Sequence, residues 1–128
     1  MTEKRRVFEE LAADYDRWFD DHAGVYDAQL RLLAGAVPPH QQGLEIGVGS
    51  GRFAVPLGTC CGIDPSFPLA KIAKHRGLEV ILGVGEHLPY CSGSFDYSLM
   101  MTVICFLDSI PMAFKEVFRV LRLEGRII

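Results

Sequence analysis

The segment from Gly43 to Phe53 constrains the fold of this chain more than any other part of its sequence. A short apolar run, Leu44-Glu45-Ile46, leads into a turn that has glycine at every second position: Gly47, Gly49 and Gly51. Glycines at this spacing let the backbone turn sharply and approach a ligand where a Cβ atom would collide. The N–H groups at the start of a following helix would face that ligand. The segment therefore predicts a strand, a ligand-binding turn and a helix, typical of proteins that bind nucleotide-like cofactors.

The spacing of the glycines argues against the two commonest nucleotide-binding loops. A dinucleotide fingerprint has the pattern G-x-G-x-x-G, and Arg52 stands where its last glycine belongs. A phosphate-binding P-loop has a lysine after its last glycine, and no lysine follows Gly51. A second acidic residue, Asp64, ends the next apolar run, where a carboxylate accepts the hydroxyls of a ribose. The pattern favours a nucleoside with little or no phosphate.

Several segments of the chain, in order, resemble the motifs of one enzyme family. Leu44-Glu45-Ile46-Gly47-Val48-Gly49-Ser50-Gly51, followed by Gly62-Ile63-Asp64-Pro65-Ser66, resembles the class I S-adenosylmethionine (SAM) dependent methyltransferases. Three later segments also resemble motifs of that family, namely residues 83–90, 94–100 and 116–122. Tyr15-Asp16-Arg17-Trp18-Phe19 resembles the opening segment of the type 11 group, whose members methylate small molecules. The resemblance implies a Rossmann-like three-layer α/β sandwich with a mostly parallel sheet.

The resemblance also implies which residues bind SAM. Gly47, Gly49 and Gly51 would lie under its methionine portion, and Glu45 would orient the methionine amino group. Asp64 would bind the ribose hydroxyls. The other candidates border the rest of the cofactor: Pro65, Gly85 and Glu86 at the adenine, Thr102 and Val103 at the sulfonium, and Tyr15 closing over SAM. Gly85 stands where alanine is commoner in the family, so its contact would be through the backbone only.

Several of these residues also have a purely structural interpretation. Glu45 is then a buried carboxylate that caps a neighbouring loop, and Asp64 caps the helix that follows it. Tyr15 is then a core residue at helical spacing, and Thr102 packs at the end of a strand. Methyl transfer from a sulfonium needs a general base only for a hydroxyl or carbon acid acceptor. No dedicated base is visible, the catalytic residue stays unknown, and His22 is the histidine to consider first.

Composition limits the class of protein and its partners. The 128 residues, 49% hydrophobic and 23% charged, suit a single globular domain spanning residues 1–128. A net charge of −3 gives no reason to expect nucleic acid, and the longest apolar stretch, residues 99–107, is too short to cross a membrane. The four cysteines form no C-x-x-C motif, so we expect buried thiols, no metal and a cytoplasmic location.

Helices and strands alternate along most of the chain. Residues 1–38 are predicted to form N-terminal helices, near 8–19 and 26–33. In the core, residues 43–128, the predicted strands are 44–46, 60–63, 79–82 and 97–102, and the predicted helices are 52–57, 68–75 and 110–121. Strands that alternate with helices predict right-handed crossovers and a parallel sheet.

The sequence ends at Ile128, inside what we expect to be a fifth strand. Related enzymes continue beyond this strand, so we favour a fragment of a longer protein over a naturally short form. A sheet that ends there presents an unpaired apolar edge, which favours pairing with a second copy in a homodimer.

The sequence leaves three functional hypotheses. The first is methyl transfer from SAM to a small-molecule acceptor, whose identity the sequence does not indicate. The second is a catalytically inactive SAM-binding fragment or module. The third is a nicotinamide-dependent oxidoreductase, against which Arg52 argues because it replaces the last glycine of the fingerprint.

Overall fold

Five parallel strands form the centre of the molecule. The computed structural model describes residues 3–128. The strands are β1 (Gly43–Ile46), β2 (Cys61–Asp64), β3 (Glu79–Leu82), β4 (Phe95–Leu99) and β5 (Leu121–Ile127), in the sheet order β3-β2-β1-β4-β5. Every neighbouring pair is parallel. The predicted Rossmann-like parallel sheet is confirmed, and the order reverses beside β1, where such sheets bind ligands.

Six α-helices surround this sheet in the described part of the chain: α1 (Glu3–Glu10), α2 (Ala12–Asp21), α3 (Ala23–Ala36), α4 (Ala54–Leu57), α5 (Phe67–His75) and α6 (Ile110–Val120). The serine before α5 and the serine before α6 each accept a hydrogen bond from a backbone N–H of the first turn, and a proline follows within that turn. These are the capping and N1 preferences of α-helices. None of the described helices is both long and apolar enough to cross a membrane.

Two hydrophobic clusters cover opposite faces of the sheet. Ile63 of β2 packs in one cluster with Val117 of α6. The preceding residue of β2, Gly62, lies against Val48, which belongs to a second cluster with Ala73 of α5. Because successive residues of a strand point to opposite faces of the sheet, α6 covers one face and α5 the other. The three-layer sandwich expected from the sequence is confirmed.

Several predicted boundaries were wrong. The helix predicted over residues 8–19 breaks at Leu11, which has φ −116° and ψ 25°, so two helices replace it. The strand predicted over residues 97–102 runs instead from Phe95 to Leu99, because the chain leaves the extended conformation before Thr102, whose φ is +54°. The helix predicted over residues 110–121 ends at Val120, and the fifth strand begins directly after it, at Leu121. Apolar periodicity does not mark such backbone turns.

The prediction of buried cysteines was also wrong. Cys60, Cys91 and Cys105 are exposed, and Cys61 is half-buried. Cys60 lies just before β2, Cys91 lies in a loop and Cys105 lies in a short 3-10 helix over Ile104–Phe106, so none of the three is on an element that packs into the core. At the edge of the sheet, β5 carries Leu123 with its side chain almost fully exposed. Pairing of this edge with a second copy stays a prediction.

Candidate functional site

A cavity of about 350 Å³ opens at the carboxyl ends of the strands, beside the point where the strand order reverses. Its wall combines the glycine turn, the end of β2, the segments after β3 and β4, and helices α1 and α2. The candidates from the sequence that line it are Tyr15, Gly47, Gly49, Asp64, Pro65, Gly85, Glu86, Thr102 and Val103. Glu45 and Gly51 lie outside this lining.

Asp64 is fixed at the end of β2 by two backbone donors. The N–H of Gly49 donates to its Oδ2 at 2.8 Å, and the N–H of Ser66 donates to its Oδ1 at 2.8 Å. The side chain is buried, and this burial raises the pKa of the Asp64 carboxyl, although the two N–H groups act in the opposite direction. A carboxylate offers about four acceptor positions. Asp64 therefore keeps acceptor capacity on both oxygens for a ligand in the cavity.

The glycine turn brings bare backbone to the cavity wall. Gly47 has φ +69°, a left-handed conformation that favours glycine, and a Cβ atom there would lie 2.3 Å from Cγ2 of Val103. At Gly49 the ring of Tyr15 lies over the backbone, 3.7 Å from the position of an added Cβ atom. Gly51 instead packs against α5, where an added Cβ atom would lie 3.4 Å from Cβ of Ala73. Two of the three glycines thus shape the cavity, and the third brings the turn close to a helix.

Glu45 is a fully buried carboxylate in the middle of β1. Burial raises the pKa of Glu45 well above its ordinary value, the backbone N–H of Ala54 partly opposes this, and the charge of Asp64 adds to it. Among the described residues, its Oε2 atom has no hydrogen-bond partner. A buried acceptor without a partner costs free energy, so this oxygen marks a place where a donor would be stabilising.

Glu86 joins the cavity to the loop before α6. Its Oε1 accepts hydrogen bonds from the N–H of Asp108 at 2.6 Å and of Ser109 at 3.1 Å. Burial opposes ionisation, but these backbone donors outweigh it, and the pKa of Glu86 is lowered. The neighbouring Gly85 packs its backbone on β1, because a Cβ atom there would lie 2.9 Å from Cγ2 of Ile46. Both residues form one side of the cavity.

The sequence did not identify α1 as part of the site. Arg5, Phe8 and Glu9, which share one face of α1, line the cavity. The Phe8 ring packs edge-on against Tyr15, with the ring centroids 5.1 Å apart, and against Phe106 at 5.0 Å. The spacing of Arg5, Phe8 and Glu9, which places them on one face of a helix, is the only feature of the sequence that could have indicated this. Charged residues at helical spacing, however, ordinarily indicate a solvated face.

The histidine considered as a base does not reach the cavity. His22 stacks on Trp18 at 4.3 Å between ring centroids, and its Nδ1 lies 2.8 Å from the carbonyl oxygen of Trp18. Within residues 3–128, no histidine lines the cavity. The titratable side chains that do line it are Arg5, Glu9, Tyr15, Asp64 and Glu86.

Comparisons with known proteins agree with this geometry. The sequence model of the methyltransferase domain family matches residues 44–128. A solved SAM-dependent methyltransferase of Thermotoga maritima, described as a possible histamine N-methyltransferase, is 43% identical, with a TM-score of 0.89 over 95% of this chain and 58% of that chain. Malonyl-[acyl-carrier protein] O-methyltransferase of Geobacter sulfurreducens is 32% identical over 98% of this chain and 52% of its own length.

A further relative is the demethylmenaquinone methyltransferase of Roseiflexus castenholzii, which is 31% identical over 95% of this chain and 57% of its own length. The chain therefore spans 52 to 58% of the length of these three proteins. Their names refer to different acceptors, so the similarity leaves the acceptor open.

Proposed function

Because the chain belongs to the methyltransferase domain family, whose members here use SAM, we propose that it transfers a methyl group from SAM to a small-molecule acceptor. The observation that carries this proposal is Asp64, held at the cavity by the backbone of the glycine turn and still able to accept two further hydrogen bonds. A ribose presents two neighbouring hydroxyls, which suit one such carboxylate.

The residues around the cavity fit the remaining parts of SAM. We assign the adenine to the side formed by Pro65, Gly85 and Glu86, and the methionine portion to the bare backbone of Gly47 and Gly49. The unpartnered oxygen of Glu45 is a buried acceptor that suits the cationic methionine amino group, directly or through water. Gly51 supports this turn from behind, since it packs on α5.

The chemistry asks mainly for alignment. When bound, SAM supplies an electrophilic methyl group on a sulfonium, and the transfer is an in-line displacement. Thr102 and Tyr15 line the part of the cavity that we assign to this end of the cofactor. Partial burial, and then the nearby charges of Asp64 and Glu45, raise the pKa of Tyr15, so its phenol stays protonated at neutral pH. The protein positions the reactants and excludes water, and the acceptor brings its own nucleophilic atom.

The first experiment is a calorimetric titration of the purified chain with SAM and, separately, with NADH. We expect SAM to bind and NADH not to bind, because Arg52 interrupts the dinucleotide fingerprint. Binding of NADH in place of SAM would refute the proposal. SAM binding with no methyl transfer to any acceptor in a panel of amines, phenols, carboxylic acids and thiols would favour an inactive SAM-binding module.

The variant Asp64→Asn tests the assigned ribose contact. It keeps the shape of the side chain but replaces one acceptor by an NH₂ group, so we expect SAM affinity to fall by about 1.4–3 kcal/mol, or 10- to 150-fold. The matched control is Thr59→Val, which removes a buried hydrogen bond to the hydroxyl of Tyr97 (2.9 Å) away from the cavity. Both variants should lose about 1–3 kcal/mol of unfolding free energy. Equal SAM affinity in the two variants would reject the ribose contact.

A further inference from the structure

An ion cluster attaches α2 to the glycine turn, and Asp16 stands at its centre. Arg52 donates to the Asp16 carboxylate from Nε at 2.9 Å and from Nη2 at 3.0 Å. Arg76 donates to the same two oxygens at 2.7 and 2.8 Å. Asp20 accepts hydrogen bonds from Arg52 as well, but its side chain is 66% exposed, whereas that of Asp16 is 16% exposed. Asp16 is therefore the shielded, doubly paired acid of the cluster.

The two arginines also hold the backbone on which the cofactor site is built. Arg76 Nη1 donates to the carbonyl oxygen of Ser50 at 2.8 Å, inside the glycine turn. Arg52 follows the last glycine of that turn, and its carbonyl oxygen accepts a hydrogen bond from the hydroxyl of Tyr26. Bidentate arginine–carboxylate pairs fix orientation as well as distance. Through them Asp16 fixes α2 relative to the turn and to the end of α5.

The residue next to Asp16 is Tyr15, whose ring lies over Gly49. The buried residues of α2 are Ala12 and Phe19, whereas Tyr15 keeps part of its surface exposed. The Tyr15 ring packs edge-on against Phe19 of the same helix and against Phe8 of α1, with the centroids 5.6 and 5.1 Å apart. The orientation of the ring over the turn thus depends on where the ion cluster holds the helix.

We propose that Asp16 is a positioning residue, which sets the Tyr15 ring over the glycine turn before the cofactor arrives. A ring that is already in place spares the cofactor the loss of side-chain entropy that ordering it would cost. Asp16 acts on SAM binding only through Tyr15 and does not touch the cofactor itself. This inference rests on the proposed function, because it concerns the affinity for SAM.

The test compares Asp16→Asn with Asp20→Asn, because each removes one carboxylate from Arg52. Asp16→Asn should weaken SAM binding about tenfold in calorimetry, and Asp20→Asn should change it less than about twofold. The substitution Asp16→Asn is then repeated in a Tyr15→Ala background. If Asp16 acts through Tyr15, it should have no further effect on SAM affinity there, because contacting residues of one unit are not additive.

Each outcome decides a different point. Failure of the wild-type protein to bind SAM would contradict the proposed function. Normal SAM affinity in Asp16→Asn together with a lower melting temperature would overturn the positioning role, as would additive effects of the Asp16 and Tyr15 substitutions. If Asp16→Asn does not fold, Arg76→Gln keeps the Arg52 pair and serves in its place, although it also removes the hydrogen bond to the Ser50 carbonyl oxygen. Weaker SAM binding that disappears in a Tyr15→Ala background supports the role, whereas unchanged binding, or a loss that persists in that background, overturns it.

Discussion

Adding one methyl group at Gly47 should destabilise the protein through two separable effects. The first is backbone strain, because Gly47 has φ +69°, and an L-residue in the left-handed region costs roughly 1–2 kcal/mol. The second is overlap with Val103, whose Cγ2 and Cβ atoms would lie 2.3 and 2.9 Å from the new Cβ atom. Overpacking of this kind costs about 1–3 kcal/mol. We therefore expect Gly47→Ala to lower the free energy of unfolding by about 2–5 kcal/mol.

Two further variants separate these effects. Gly58 has φ +73°, and an added Cβ atom there would have nothing within 4 Å, so Gly58→Ala reports the backbone strain alone. Both substitutions reduce the freedom of the unfolded chain equally, so this contribution cancels in their difference. Val103→Ala removes both Cγ atoms of the overlapping side chain. Combined with Gly47→Ala, it should remove the closest overlap, with Cγ2 at 2.3 Å, and leave the backbone strain and the 2.9 Å contact with Cβ.

Equilibrium unfolding in urea measures the four variants. We expect Gly58→Ala to cost about 1–2 kcal/mol, and the double variant Gly47→Ala/Val103→Ala to be more stable than the sum of its single changes by about 1–3 kcal/mol. Strictly additive effects would refute the overlap with Val103. Equal losses in Gly47→Ala and Gly58→Ala would show that the turn relaxes and that close packing at the cavity wall is not maintained.

Two buried or paired carboxylates make opposite predictions about pH. The raised pKa of Glu45 means that folding resists its ionisation, so wild-type stability should fall as pH rises above the ordinary value of 4.5. The melting temperature of Glu45→Gln should not show this fall between about pH 5 and 8. If the melting temperatures of the wild type and the variant changed with pH in parallel, the prediction would be wrong. Hydrogen bonds from Arg119 and Leu88 lower the pKa of Glu116 to about 2 from 4.5. The stabilisation that ionised Glu116 gives the folded state is therefore present above pH 4.5 and lost as pH falls toward 2. Melting temperatures should accordingly show Glu116→Gln to be destabilising at pH 7 and nearly neutral near pH 2. A substitution that only alters packing would destabilise the protein at both pH values.

The sequence by itself determined those features that depend only on residues close together along the chain. An apolar run, a glycine turn and a helix are specified within a dozen residues, and the structure contains β1, the turn and α4 in that order. Asp64 was recognised at the end of the next strand, where the structure has its carboxylate bonded to the N–H of Ser66. The alternation of strands and helices was sufficient to predict the parallel sheet, because right-handed crossovers leave few other topologies.

The tertiary structure alone decided how the N-terminal helices meet this framework. Asp16 pairs with Arg52 and Arg76 across 36 and 60 residues, and Arg5 reaches Asp108 across 103 residues. On a helix such charges look like a solvated face, since nothing in the local sequence tells which partner folds against them. The break at Leu11 and the end of β4 before Thr102 are changes of backbone conformation that apolar periodicity does not mark. The sequence thus determined the framework that presents Asp64 and the glycine turn, whereas long-range packing decided what closes the cavity around them.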